Sequence, residues 1–355
     1  MIQEKIQNIM AERRVDGLLV SDGFNMRYLS GFRGATGYLY LSRERKVLMT
    51  DSRYTTQAKE EAESWEIVEV TSEHSYEKAL AKLISDEQVK ALGFEDQHLI
   101  YAQAVRLQKG AGEISWVPLG DSLNRLRIVK TPQEQRLLER AEAIGDLAFE
   151  RILKEIKPGM TELQVAAKLE YYMKEAGALG TSFDTIAASG IHSAMPHATP
   201  SSKPLEQGDF LTMDFGCIYE GYCSDMTRTV VLGKANSRQK EIYQVVLEAQ
   251  LAALDTIRAG MTGAQVDKIA REVIAQAGYG AYFGHGLGHS VGLYIHENPR
   301  LSPSCHEVLE EGMIQTVEPG IYLPGFGGVR IEDMVIVTEE GCRNLAHSPK
   351  DLLEL

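Results

Sequence analysis

Two aspartates, two glutamates and a histidine stand in contexts where a carboxylate or an imidazole needs an electrostatic reason. In MDFGCIYEGYCSDMTRTVV, Asp214 and Asp225 lie among alternating apolar and small residues on either side of Tyr219-Glu220-Gly221, a pattern that predicts a β-hairpin. With the turn centred near Tyr219 and Glu220, the two aspartates are expected as cross-strand partners, Cβ atoms about 4.5 to 5.5 Å apart. A second pair, Glu318 in MIQTVEPGIYL and Glu332 in GGVRIEDMVIV, flanks the Gly-rich turn Pro324 to Gly328 at similar distances from its centre. Carboxylates in apolar strands lose several kcal/mol of hydration unless compensated, so positive charge is expected beside them. Arg330 shares a strand face with Glu332 and could form an ion pair, but one guanidinium cannot neutralise four carboxylates.

His289 completes the set. It stands in YFGHGLGHSVGLYIHENP, where glycines at 284, 286, 288 and 292 let the backbone pass close to a centre. Four carboxylates and one imidazole without thiolate suit two divalent ions if carboxylates bridge them. Mn²⁺ is the expected occupant, with Co²⁺, Fe²⁺ or Zn²⁺ possible, and a structural zinc site, which prefers cysteine, is disfavoured. Of the nine histidines, His192, His197, His285, His289 and His296 cluster between Ile191 and Asn298, whereas His74, His98, His306 and His347 read as structural or surface residues.

The elements that must hold these residues follow from periodicity and capping. Short β-rich runs at 17–21, 37–42, 46–50, 66–70 and 90–95, separated by helical stretches such as YTTQAKEEAES, predict an α/β domain over residues 1–125. A catalytic domain over 126–355 follows, its first helix opened by Thr131-Pro132-Gln133-Glu134, with Thr131 as cap and Pro132 at the first helical position. Within it, residues 157–177 and 258–278 align without gaps at an offset of 101, with seven of twenty-one positions identical. Each copy starts a helix with a T-x-x-Q capping box (Thr161 with Gln164, Thr262 with Gln265) and ends at Ala-Gly. Duplication of a helix-plus-sheet unit, giving two pseudo-symmetric halves around a shared cleft, is the expected architecture.

Composition narrows the function. Thirty-seven basic residues against 50 acidic ones, net −13, disfavour a nucleic-acid or anionic-membrane partner. No apolar run approaches the ~20 residues of a membrane span, and the N-terminal MIQEKIQNIMAERR reads as a charged amphipathic helix, so a cytoplasmic protein is expected. The four cysteines lack paired spacing and are expected to be reduced thiols.

At these residues the sequence resembles the pita-bread (creatinase/aminopeptidase P/prolidase) metallopeptidase family, in its Xaa-Pro peptidase branch. The order Asp214, Asp225, His289, Glu318, Glu332 matches the five metal ligands of that family, and GFNMRYLSGF with TDSRY looks like its creatinase-type N-terminal domain. The resemblance implies a creatinase-type α/β domain followed by an α+β pita-bread domain with a pseudo-twofold repeat. It implies that Asp225 and Glu332 bridge the metals, that Asp214 chelates one, and that His289 with Glu318 completes the other. His197, His285 and His296 match the non-ligand histidines around the substrate, and Arg330 and Tyr322 match residues behind the site that help shape substrate binding. Glu318 or a bridging carboxylate would accept the proton of an activated water, with His296 and His197 hydrogen-bonding the oxyanion and the amide side. The family often has an acidic residue at Tyr294 and Asn at His192, so those positions carry no assigned role. The implied function is metal-dependent hydrolysis of the Xaa-Pro bond of short proline-containing peptides by a homodimer. The rivals are an aminopeptidase of other specificity and a non-catalytic protein that binds peptides or partners.

Overall fold

The computed structural model of the protein describes residues 2–355, so Met1 of the expected N-terminal helix lies outside the described residues. The chain divides into two compact units, residues 1–127 and 128–355.

In the first unit a six-stranded sheet has the order Glu66–Val70, Lys46–Asp51, Tyr38–Ser42, Gly17–Val20, Ala91–Phe94, Ser115–Pro118. Gly17–Val20 runs antiparallel to Tyr38–Ser42 and parallel to Ala91–Phe94. Alternate side chains feed two cores, because successive residues of a strand point to opposite faces. Leu18, Val20, Leu39, Leu41 and Leu48 pack in one, and Leu19, Tyr38, Tyr40, Val47 and Met49 in the other. Helices such as Ile2–Arg13 and Tyr76–Asp86 contribute to these two cores, the α/β arrangement expected. The sixth strand, Ser115–Pro118, was not expected: it is short, ends in proline and occupies an edge, where a missing N–H is tolerated.

The second unit is α+β and internally repeated. Thr131 caps the helix Pro132–Leu153 with Glu134 reciprocating. Helices Glu162–Glu175 and Gly263–Gln276 both begin with full capping boxes and are followed by glycines in the left-handed region, Gly177 (φ 105°) and Gly278 (φ 87°). Even the bridges flanking the two caps correspond, Thr161 with Pro204 and Thr262 with Val308. Each half has its own core. Val165, Leu169 and Met173 pack with Met213, Phe215 and Met226 in the first half, and Val266, Ala270 and Ile274 with Val317, Val335 and Val337 in the second. In the three-stranded sheets Met226–Val231/Phe210–Phe215/Ile186–Ser189 and Ile314–Val317/Asp333–Val337/Cys342–Asn344, Asp214 lies on a strand and Asp225, Glu318 and Glu332 stand one residue beyond strand ends. All four cysteines are free thiols. No helix among the described residues is long and apolar enough to cross a membrane.

Candidate metal centre

The first carboxylate pair is set by a hairpin whose turn lies one residue later than the sequence pattern suggests. Tyr219 pairs with Tyr222, so the turn is Glu220-Gly221, and both have positive φ (46° and 86°). A two-residue turn of that kind matches the twist of its strands and puts Gly at the second position. The register therefore places Thr227, not Asp225, opposite Asp214. Asp225 stands two residues from Thr227 and is a diagonal neighbour of Asp214 on the same face, a correction to the directly opposed pair. Gly216 is required nearby, since a Cβ there would lie 1.9 Å from the Ser224 carbonyl oxygen.

The second pair follows one continuous register. Val317 pairs with Asp333 and Gly320 with Arg330, which sets Glu318 opposite Glu332. His289 lies on the short strand Gly288–Ser290 opposite Arg300. That strand passes tightly over its neighbour: a Cβ on Gly288 would meet the Thr316 carbonyl oxygen at 2.0 Å.

Asp225, His289 and Glu332 are all buried, and one ligand atom from each lies within 4.8 Å of the others. His289 Nε2 is 3.4 Å from Asp225 Oδ2 and 3.5 Å from Glu318 Oε1. Burial, reinforced by the charge of His296, pushes the His289 pKa down to about 3, so the ring is neutral. Its Nδ1 is 3.0 Å from the Ser290 carbonyl, which takes the ring's single proton and leaves an Nε2 lone pair facing carboxylate oxygens. Facing acceptors of this kind are satisfied either by a carboxyl proton or by a cation between them. Burial and mutual repulsion raise the pKa values of Asp225 and Glu332 well above the usual carboxylate range, and burial pushes Glu318 up to about 7. Asp214 Oδ1 is buried without a hydrogen-bond partner, while Oδ2 accepts from Arg330 Nη2 at 2.6 Å. This donor set fits divalent metal and is poorly satisfied without it.

The five residues form one wall of a cavity of about 670 Å³, whose lining also includes His197, His285, His296, Arg300 and Arg330. Tyr322 lies behind it. Arg330 Nη1 donates to the Tyr322 hydroxyl at 2.8 Å, and that hydroxyl lies 2.9 Å from His285 Nε2. His285 Nδ1 is 2.8 Å from the Gly286 carbonyl, which can only accept. One proton arrangement satisfies the chain: Arg330 to Tyr322, Tyr322 to His285, His285 to Gly286. Burial and the positive charge of Arg330 push the His285 pKa down to about 4, consistent with that neutral ring. His296 packs edge to face on His289 at 4.7 Å between centroids, and its pKa is lowered by burial and by Arg300. Tyr294 packs on His296 at 6.1 Å, and His192 is bound to Glu162 outside the cavity lining.

Several supporting residues carried no local sequence signal. Thr227 donates to Glu332 Oε2 at 2.6 Å, and Thr316 donates to Glu318 Oε1 at 3.1 Å while accepting from the His289 amide. Glu142, fully buried, accepts from the Asp225 amide, and burial raises its pKa well above the ordinary value. Arg228, 1% exposed, donates to the carbonyls of Thr227 and Glu332 and to Asp333, so a buried ion pair braces the backbone on which Glu332 sits. Such partners orient ligands and tune their basicity.

Comparison with known proteins agrees with this geometry. The sequence profile of metallopeptidase family M24 matches residues 136–339, and that of the Creatinase/Prolidase N-terminal domain matches residues 3–129. An Xaa-Pro dipeptidase of Pyrococcus horikoshii is 40% identical over 351 residues, covering 99% of this chain and 98% of the relative. Among solved structures, an Xaa-Pro dipeptidase from Bacillus anthracis superposes with a TM-score of 0.96 at 43% identity, covering all of both chains. An X-Pro aminopeptidase from Thermotoga maritima gives 0.92 at 38% identity, covering 98% of this chain and all of that one. With both profiles matched in order and similarity along essentially its whole length, this chain belongs to metallopeptidase family M24 and is a metallopeptidase with a creatinase-type N-terminal domain.

Proposed function

We propose that the protein hydrolyses the Xaa-Pro bond at the amino end of dipeptides and short peptides, using two divalent ions, Mn²⁺ foremost, held by Asp214, Asp225, His289, Glu318 and Glu332. The observation that carries the proposal is the unprotonated Nε2 of His289 directed at the oxygens of Asp225 and Glu318. When bound, such ions lower the pKa of water and polarise a carbonyl oxygen. Glu318, one of these carboxylates, would accept and return the proton of the water. His296 and His197 line the cavity and can donate to an oxyanion or to the amide side of the scissile bond. An Xaa-Pro bond has no N–H, and recognition through histidines does not depend on one. The similar Xaa-Pro dipeptidases and X-Pro aminopeptidase support this substrate class. Incubating the metal-loaded protein with Ala-Pro and Ala-Pro-Ala tests it: alanine should be released. Intact peptides would overturn the Xaa-Pro assignment.

If His296 and His197 act on the transition state without ligating metal, replacing either by alanine should lower kcat by roughly 10² with metal content unchanged. Metal loss from His296→Ala would instead make His296 a ligand.

The choice between dipeptides and longer peptides rests on Arg300. Its exposed guanidinium lines the cavity and makes no hydrogen bond or ion pair among the described residues. A dipeptide carboxylate directed toward it would gain a charge-assisted hydrogen bond, whereas a peptide amide offers no charge there. Arg300→Gln should therefore raise KM for Ala-Pro by about tenfold, the scale of one charge-assisted hydrogen bond, and leave Ala-Pro-amide nearly unaffected. Equal changes for both substrates would remove Arg300 from carboxylate recognition. We also infer a homodimer from the resemblance and a cytoplasmic location from the charged, span-free sequence, and a monomeric mass by light scattering would contradict the dimer.

A further inference from the structure

His197 raises a problem of placement. Its ring is exposed on the cavity and makes no hydrogen bond or ion pair among the described residues, so its position is set by the backbone that carries it. That backbone, residues 190–200, leaves the strand Ile186–Ser189 and returns at Ser201 toward the cap of the helix Glu162–Glu175.

Both ends of the segment meet one side chain. Glu162, the first residue of that helix, is fully buried. Its Oε1 accepts from the Ser189 amide at 2.8 Å and the Ser189 hydroxyl at 2.9 Å. Its Oε2 accepts from the Ser201 amide at 3.1 Å and the Ser201 hydroxyl at 2.6 Å. His192 Nδ1 adds a contact at 3.1 Å from inside the segment. The backbone joins in as well, since the Leu163 amide donates to the Ser201 carbonyl and the Glu162 amide to the Lys203 carbonyl. Burial opposes the charge on Glu162, and the donors from Ser201, Ser189 and His192 overcome it, so its pKa is lowered and the carboxylate is ionised. Capping of the helix does not explain these bonds, because Thr161 and Gln164 already supply the capping box.

The internal repeat shows the same task solved with other residues. The position equivalent to Glu162 is Gly263, where a Cβ would collide with the Arg300 carbonyl at 2.1 Å. One turn further along the helix Gly263–Gln276, buried Asp267 accepts from the Leu287 amide and is paired with Arg271. Arg271 in turn donates to the carbonyls of Phe283 and His285. In each half, a buried carboxylate near the start of the second helix fastens the segment that carries a cavity histidine.

We propose that Glu162 is a positioning residue of the active site: its carboxylate closes the 189–201 segment at both ends and thereby fixes where His197 stands over the cavity. The proposal rests on His197 acting in the reaction. Its action is through geometry, where a displacement of about 1 Å can cost on the order of 10²-fold in rate.

A double-mutant cycle on the metal-loaded full chain tests it, with Glu162→Gln, His197→Ala and their combination assayed on Ala-Pro. Glu162→Gln should lower kcat by about 10- to 30-fold alone and by less than about twofold in the His197→Ala background. Amide hydrogen exchange should quicken within residues 190–200 and stay unchanged in the strands that carry Asp214, Asp225, Glu318 and Glu332. Ser201→Ala removes one donor without touching the carboxylate, and should show the same non-additivity at about three- to tenfold, which keeps the test available if Glu162→Gln does not fold. An impaired His197→Ala protein with equal Glu162 effects in both backgrounds would overturn the clasp alone. A fully active His197→Ala protein would overturn the reading of His197 itself, and the clasp with it. Unchanged kcat and exchange in both Glu162→Gln and Ser201→Ala would also overturn the proposal.

Discussion

Dialysis against a chelator should reduce hydrolysis to below about 1% of the loaded activity, and Mn²⁺ should restore it better than Mg²⁺. Without the ions, protons must satisfy the ligand atoms instead: the His289 Nε2 lone pair faces the oxygens of Asp225 and Glu318, and Oδ1 of Asp214 has no partner. Mg²⁺ holds its water tightly in strict octahedral geometry and is a poor substitute for an ion that takes imidazole and carboxylate together. Binding must also displace protons. The metal-free pKa values of Asp225 and Glu332 are raised well above the ordinary range and that of Glu318 is about 7, so these groups carry protons near neutrality that metal excludes. The sign follows: affinity for Mn²⁺ should rise from pH 6 to pH 8, and calorimetry in buffers of different ionisation enthalpy should show more protons released at the lower pH. Asp225→Asn should lower kcat by about 10³ or more, equivalent to about 4 kcal/mol of transition-state stabilisation. Asp214→Asn should cost less, because Arg330 already holds one of its oxygens. Equal residual activities would remove the distinction between bridging and terminal carboxylates, and full activity at well under one ion per chain would overturn the metal reading altogether.

The centre was legible in the sequence where its signal was local. Alternation marked the strands, the neighbourhood of Tyr219 and Glu220 and the run Pro324 to Gly328 marked the turns, and four carboxylates in apolar context demanded a counter-charge. The misplaced hairpin centre shows the limit of that reading. Alternation is symmetric about several neighbouring residue pairs, and only the paired positive φ values of Glu220 and Gly221 decide among them. The capping boxes at Thr131, Thr161 and Thr262 were readable because each closes within four residues. The supporting contacts were not. Thr227 and Glu332 are 105 residues apart, as are Arg228 and Asp333, and nothing in their immediate neighbourhoods announces the pairing. Glu162 looked like an ordinary acidic residue in a first helical turn, a favourable place for negative charge. Its distant partners Ser189 and Ser201 give it another role, and they become its neighbours only when the fold is complete.

Ala-Pro peptides should be cleaved with kcat/KM at least ~100-fold above their Ala-Ala counterparts, a gap of about 2.7 kcal/mol in transition-state binding. The expectation concerns what the site leaves unmade as much as what it makes. An enzyme that recognises the scissile N–H loses a hydrogen bond when proline arrives, and must bury an unpaired acceptor. Here the groups lining the cavity beside the carboxylates include His197, His285, His296, Arg300 and Arg330. Arg330 and His285 are committed to Tyr322 and Gly286, which leaves His197, His296 and Arg300 as the cationic or imidazole groups free to meet the substrate. The Arg300 guanidinium suits an oxyanion or a terminal carboxylate and offers nothing to an amide N–H, whereas a neutral imidazole carries one acceptor nitrogen besides its donor. A peptide with alanine second brings an N–H that must find an acceptor once buried, while the proline ring fills the same space with apolar surface and makes no such demand. Steady-state measurements on Ala-Pro and Ala-Ala series of two to five residues decide the matter. If the two series gave similar kcat/KM values, proline would confer no advantage at this site, and the protein would be an aminopeptidase of broader specificity even with its metal centre intact.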